Sequence, residues 1–267
     1  MAFRVKKENG KLIFNNLGGY QTRNPSTIWC IEQADAIYNW NDFKEIIIHT
    51  GDKDSTDTNY TYSKLNIYTN LVPDFNFYSW PEAGINNYND TIKEINISGN
   101  ILPLINKVGW IGNSNTSPIR KQLIQISNIN SNIFDCFDMT WINSGKLQLN
   151  ATKYISLPDL VKTYAILIDI EGIGYSGRVK YLLWSHRPLL LVDRPHKEYF
   201  FKYLKEWIHY IPVKRDLSDL LEKTQWIFNN YEKALEIAEN AFKFSNTYLT
   251  RDACYKQWNT IIQSLSQ

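Results

Sequence analysis

Between Ala165 and Trp184 the chain sets glycines at 172, 174 and 177, a hydroxyl at Ser176 and cations at Arg178 and Lys180. Before them, Ala165 to Ile170 is an apolar run of strand length, broken only by Asp169. After them, Val179, Leu182 and Leu183 fall at helical spacing. A strand, a glycine-rich turn and a helix start present backbone N–H groups to an anion, and a helix N-terminus is electropositive. The chemistry this favours is capture of a diphosphate. Such turns are common, however, and most bind nothing. The stretch is not a Walker A loop. Its Gly172-x-Gly174-x-x-Gly177 spacing lacks the acidic residue that closes a dinucleotide fingerprint, since Asp193 stands in a different register.

Two further places carry candidate chemistry. Glu45 to Thr50 reads as a short buried strand, and Gly51-Asp52-Lys53-Asp54 follows it. A carboxylate at the C-terminal end of a strand in an open α/β sheet faces the ligand crevice, so Asp52 is a candidate general base. The plain alternative is a turn-forming aspartate. Asp52-x-Asp54 also reads as a metal-binding pair of the kind used by metal-dependent transferases. Arg120 follows Gly112 to Pro118 and falls in the first turn of a helix, as Arg178 does. A cation there opposes the helix dipole unless an anion is bound.

The elements that must position these residues alternate between strand and helix, which makes the class α/β. Asn9-Gly10 joins two short strands as a hairpin. Pro25 to Phe43 reads as a helix, residues 65–78 as a strand, Gly177 to Ser185 as a helix and Trp207 to Val213 as a strand. The last quarter is helical and amphipathic. Polar residues at Asn143-Ser-Gly145 and Asn150 to Lys153 place a domain boundary at 153/154. This gives an N-terminal α/β domain, 1–153, and a C-terminal α/β domain, 154–267.

Composition narrows the function. Net charge is +2, so no global field favours nucleic acid. Three cysteines lie far apart, which excludes a disulfide scaffold and fits reduced thiols in a cytosolic compartment. The start lacks the apolar core of a signal peptide, and no stretch is long and apolar enough for a transmembrane helix. The expected location is therefore cytoplasmic, in a bacterium or a virus-infected host cell, or peripheral to a membrane. Tyr, Phe and Trp together number 38 (17, 12 and 9). That supply serves a large core first and sugar faces second, with Trp80, Trp110, Tyr175 and Trp184 as candidates for sugar contact.

Glu171-Gly-Ile-Gly-Tyr-Ser-Gly-Arg-Val-Lys-Tyr-Leu-Leu-Trp-Ser and His209-Tyr-Ile-Pro-Val-Lys-Arg-Asp-Leu-Ser-Asp-Leu resemble the protein O-glucosyltransferase and lipopolysaccharide-modifying family, glycosyltransferase family 90. Ile237 to Ala241 and Tyr255-Lys-Gln-Trp258 fit its C-terminal pattern. Thr116-Ser-Pro-Ile-Arg120, Ile48-His-Thr-Gly-Asp52 and Phe75-Asn-Phe-Tyr resemble elements of its first half. The resemblance implies a GT-B-like fold of two Rossmann-like domains facing a cleft, with a helical C-terminal segment. It implies an inverting, metal-independent transfer of glucose or xylose from a UDP-sugar to a hydroxyl of a glycan or protein acceptor, in surface glycan synthesis. By position, Asp52 is the base. Arg120 and Arg178 hold the diphosphate from two halves of the cleft, and Gly172, Tyr175, Ser176 and Gly177 line the donor site. Gly51 and Ile111 depart from the pattern, where the family carries arginines. Those departures support an alternative, a catalytically silent nucleotide- or sugar-binding module, beside the metal-dependent alternative through Asp52-x-Asp54.

Overall fold

The computed structural model describes residues 1–53, 60–139 and 153–265. Asp54 and the polar stretches Asn143 to Gly145 and 150–152 lie outside the described residues.

The chain opens with β1 (Ala2–Glu8) and β2 (Lys11–Asn16), an antiparallel hairpin. Its turn is Asn9-Gly10, both at positive φ, with their N–H groups donated to Asp42 at 2.8 and 2.9 Å. Helix α1 (Arg23–Tyr38) buries Cys30, Ile31 and Ala34 on one face. Strand β3 (Phe43–His49) pairs antiparallel with β1, and β4 (Tyr60–Thr61) pairs parallel with β3. The order β2-β1-β3-β4 makes a small mixed sheet.

The segment expected as a strand over 65–78 is mostly irregular. It holds only β5 (Lys64–Leu65) and a 3-10 turn, Phe75–Phe77. Asn66 and Asn70 sit at positive φ and break the extension. A second 3-10 turn, Pro81–Ala83, precedes helix α2 (Tyr88–Gly99), whose N-terminus is capped by Asn87.

Five parallel strands form the second sheet: β6 (Ile105–Gly112), β7 (Phe134–Asp138), β8 (Tyr164–Asp169), β9 (Leu189–Val192) and, past the short β10 (His196–Lys197) that pairs with β5, β11 (Ile211–Val213). The order is β11-β9-β8-β6-β7. The sheets therefore do not divide at 153: β6 and β7 belong with β8. A polar stretch marks composition, whereas sheet membership is fixed by pairing, which is non-local. Helix α3 (Pro118–Ile129) links β6 to β7, and α4 (Leu157–Thr163) leads into β8. The helix expected over 177–185 is regular only in α5 (Val179–Leu182). The strand expected from Trp207 starts at Ile211, because Trp207 is at φ 59°. Helices α6 (Leu220–Asn229), α7 (Tyr231–Tyr248) and α8 (Arg251–Leu265) complete the chain.

All six residues of β8 are buried, as a central parallel strand requires. Its apolar residues are shared between two cores. Ile166 and Ile168 pack with Leu123 of α3 and Ile227 of α6, while Leu167 joins the core shared with α1 and the first sheet. Helix α8 returns to α1: Trp40 Nε1 donates to Asn259 Oδ1 at 2.8 Å, and Trp258 is fully buried. The three cysteines are buried and free. Among the described residues no helix is long and apolar enough to cross a membrane.

Strands β6 and β8 approach closely because Gly109 lacks a side chain. A Cβ there would lie 2.1 Å from Cδ2 and 2.8 Å from Cβ of Tyr164. Tyr164 is anchored at its own Cβ and cannot swing clear. Gly109→Ala is expected to destabilise the protein by about 1–3 kcal/mol, read as a lowered denaturation midpoint. An unchanged midpoint would show that the strands tolerate separation.

Candidate active site

In the five-stranded sheet the chain moves from β6 outward to β7, then returns past β6 to β8. The reversal places a crevice outside the C-terminal ends of β6 and β8, where open α/β sheets bind ligands. A cleft of about 450 Å³ opens there. One wall comes from the segments after β6 and β8, including Asn113, Arg120 and Gly172 to Arg178; the facing wall includes Arg23, Asp52, Asn76, Trp80 and Glu82.

The wall after β8 is built on Asp169. Its carboxylate is fully buried. Oδ2 accepts from Arg194 Nη1 at 2.7 Å, and Oδ1 accepts from Ser176 Oγ at 2.8 Å. Arg178 Nε stands 3.8 Å from Oδ1. The proton of the expected donor-site hydroxyl, Ser176, is thus committed inward, and Ser176 faces a ligand only as an acceptor. Arg178 Nη1 donates to the Ile111 carbonyl, while its Nη2 is buried without a partner among the described residues. Burial depresses the Arg178 pKa, with the nearby Arg194 adding to the effect and Asp169 opposing it. An arginine with a buried, unspent donor awaits an anion. The helix that follows is a single turn, so Arg178 rather than a helix dipole carries the attraction.

Arg120 is not across the cleft from Arg178. Both flank the Trp110 ring, each guanidinium 5.5 Å from its centre. Arg120 spends three nitrogens on backbone: Nε on the Glu171 carbonyl at 2.8 Å, Nη2 on Ile170 at 3.0 Å and Nη1 on Asn113 at 3.2 Å. It pins the two loops together and adds positive charge. Burial first, then Arg178, presses its pKa down. Trp110 is fully buried between them, and Trp184 is buried with its Nε1 on Tyr88 Oη at 3.1 Å. Neither lines the cleft; Trp80 and Tyr175 do. Glu171 is paired with Arg215.

The glycines act by close approach. A Cβ on Gly174 would lie 1.6 Å from the Asp52 carbonyl oxygen, so the turn after β8 rests directly on the Asp52 loop. Gly177 packs on Asn76 and Trp80, where a Cβ would lie 2.8 Å from Asn76 Nδ2 and 3.2 Å from Trp80. Gly172 leaves a Cβ 3.4 Å from Arg120 Nη2.

Asp52 reaches the cleft, and its neighbour is a cation that the sequence did not point to. Arg23 Nη1 donates to Asp52 Oδ1 at 2.8 Å and to the Thr50 carbonyl at 3.1 Å. Its guanidinium lies 4.2 Å from the Tyr20 ring centre and 5.0 Å from that of Phe75. A Cβ on Gly51 would meet the tip of the His49 side chain, with Cε1 at 3.0 Å. Arg23 opens α1, so the oddity that marked Arg120 and Arg178, a cation in a first turn, was present. Starting that helix at Pro25 hid it. Glu82 is a second carboxylate in the cleft: Thr22 Oγ1 donates to Oε1, and Oε2 is buried without a partner among the described residues. No local signal marks it.

Residues 21–267 match the pattern of glycosyl transferase family 90. The chain is a member of glycosyl transferase family 90. Among similar proteins, Protein O-glucosyltransferase 1 of Homo sapiens is 32% identical over 166 residues, 61% of this chain and 42% of that protein. Protein O-glucosyltransferase 2 of Danio rerio is 30% identical over 166 residues, 61% of this chain and 33% of that protein. These matches therefore span less than half of either relative. The solved structure of TarM shares 14% identity at a TM-score of 0.45, covering 61% of this chain and 36% of TarM.

In this family 90 member the cleft depends on Asp169, whose removal would leave Arg194 buried and unpaired. Asp169→Ala is expected to cost about 3–5 kcal/mol, measured by denaturant unfolding. A loss below about 1 kcal/mol, the scale of an exposed ion pair, would show that the pair is not what holds the turn.

Proposed function

We propose that this glycosyltransferase moves glucose or xylose from a UDP-sugar to a hydroxyl of a glycan or protein acceptor, with inversion and without a metal ion. A role in surface glycan synthesis at a cytoplasmic or membrane-peripheral location fits this reading. The observation that carries it is Arg178: a buried guanidinium with an unspent Nη2, beside a glycine turn that rests on the Asp52 backbone. Family membership supplies the reaction class. The kinship with protein O-glucosyltransferases supports glucose as the transferred sugar.

The reaction asks two things of the walls. As the acceptor oxygen bonds to the anomeric carbon, the bond from that carbon to the diphosphate oxygen breaks, and its electron pair leaves with UDP. Arg178, with Arg120 behind it, faces the charge that develops on the leaving group. The acceptor proton goes to a carboxylate on the facing wall. Asp52 uses Oδ1 on Arg23, and a carboxylate has further lone pairs for an incoming hydroxyl. Glu82 is the rival base, because its Oε2 is unpartnered in the same cleft.

Arg178→Ala is expected to weaken UDP binding about tenfold to hundredfold, the scale of a lost charged hydrogen bond, by calorimetry. Unchanged UDP affinity would remove Arg178 from the donor site.

Asp52→Asn is expected to lower transfer by about 10²–10⁴ with UDP affinity intact. An active Asp52→Asn protein beside an inactive Glu82→Gln protein would move the base to Glu82. UDP-sugar binding with neither transfer nor UDP release in the wild type would favour a silent binding module, and loss of transfer in a chelator would favour the metal-dependent alternative.

A further inference from the structure

Behind the cleft lies a charge cluster that the reaction above leaves unused. Lys180 is fully buried, with its Nζ 3.0 Å from Asp74 Oδ2 and 2.9 Å from Glu198 Oε1. The three residues come from separate segments: Lys180 from α5, Asp74 from the start of the Phe75–Phe77 turn, and Glu198 from the start of the Tyr199–Tyr203 turn. Burial pushes the Glu198 carboxyl up to about 8 against the pull of Lys180.

The cluster bears on the cleft through Asn76. This residue is fully buried yet lines the cleft. Its Nδ2 donates to Asp74 Oδ2 at 2.7 Å, the oxygen that Lys180 also holds. Tyr181 Oη donates to the Asn76 backbone carbonyl at 3.1 Å, and Arg251 Nε donates to the Phe77 carbonyl at 2.8 Å. Backbone and amide are therefore both fixed. A flipped amide would set its oxygen against the Asp74 carboxylate, so the orientation is decided by charge. Asn76 Oδ1 remains, buried and without a partner among the described residues. An acceptor in that state carries a desolvation cost that only a donor relieves.

The Nδ2 end of Asn76 packs on Gly177, which directly precedes Arg178, and Oδ1 is the other branch of the same amide. A diphosphate oxygen is itself an acceptor and would be repelled by Oδ1. The group that fits is a donor just beyond the diphosphate. We infer that Asn76 Oδ1 accepts a hydrogen bond from a hydroxyl of the sugar being transferred, so that Asn76, oriented by Asp74 and Lys180, reads the donor sugar. This rests on the reading of the cleft as a UDP-sugar site.

The test compares UDP with UDP-glucose on the wild type and on Asn76→Ala, by calorimetry. UDP-glucose affinity is expected to fall about threefold to tenfold, the scale of one neutral hydrogen bond, while UDP affinity stays the same. Equal losses for both ligands, or no loss for UDP-glucose, would overturn the inference and leave the functional reading standing. Failure of the wild type to bind either ligand would overturn both. Because Asn76→Ala removes a partner of buried Asp74, the wild type is also titrated with UDP-glucose analogues lacking single hydroxyls. One analogue should lose a similar factor; equal binding by all of them would count against Asn76 whatever the variant does.

Discussion

The site hangs on a buried anion. Asp169 ends the central strand of the parallel sheet with no exposure to solvent, and such a charge is tolerable only when it is paired and hydrogen-bonded. Arg194 meets this need from the end of β9, and its other nitrogens reach the Asp169 and Val192 carbonyls at 3.1 Å each. The ends of two neighbouring strands are thereby locked. The remaining carboxylate oxygen draws Ser176 back toward the sheet and brings Arg178 alongside. A turn with three glycines would otherwise be free to take many shapes. Tied at Asp169 and resting on Asp52, it has little freedom, and Arg178 is held in the wall of the cleft.

The two walls differ in charge, and this gives the chemistry a direction. The wall after β6 and β8 gathers Arg120 and Arg178 around Trp110, and among the described residues no carboxylate is hydrogen-bonded to Arg120. The facing wall offers Asp52 and Glu82, with Arg23 set against the first. The proposed reaction would use one side for its anionic leaving group and the other for its proton acceptor. Their spacing is kept by contacts that cross the cleft, since Gly174 abuts the Asp52 backbone and Gly177 abuts Asn76. Helix α8 reinforces this from behind, where Arg251 grips the carbonyls of Phe77 and Tyr78 at 2.8 and 3.2 Å.

What the sequence made legible was local. The apolar run of β8 and its glycine turn stand out because strand burial and positional punctuation are written in adjacent residues. The hairpin at Asn9-Gly10 is legible for the same reason. Asp169 was visible only as an interruption, since its partner Arg194 is 25 positions away. The alternation over 65–78 suggested a strand, but its aromatic residues serve a wall made of 3-10 turns. The placing of Arg120 and Arg178 on opposite halves failed because β6 was assigned to the first domain. Pairing between β6 and β8 brings both arginines to one edge, and no periodicity in either strand encodes that partner.

Two buried anions therefore do parallel work on the two sides of Gly177. Asp169 fixes a cation that faces the cleft, and Asp74 fixes an amide that faces the same cleft. In both cases the protein spends charge where apolar packing would fill the volume with less desolvation. Apolar residues, however, cannot choose which end of an amide points outward or hold a guanidinium at one angle. A carboxylate can, because it accepts in defined directions and repels the alternative orientation. The positions of Lys180, two residues after Arg178, and of Asp74, two before Asn76, mean that one turn of α5 and one 3-10 turn set both orientations. The Arg178 side of the cleft and the Asn76 amide are thus coupled through the same short helix, and a displacement of α5 would disturb both together.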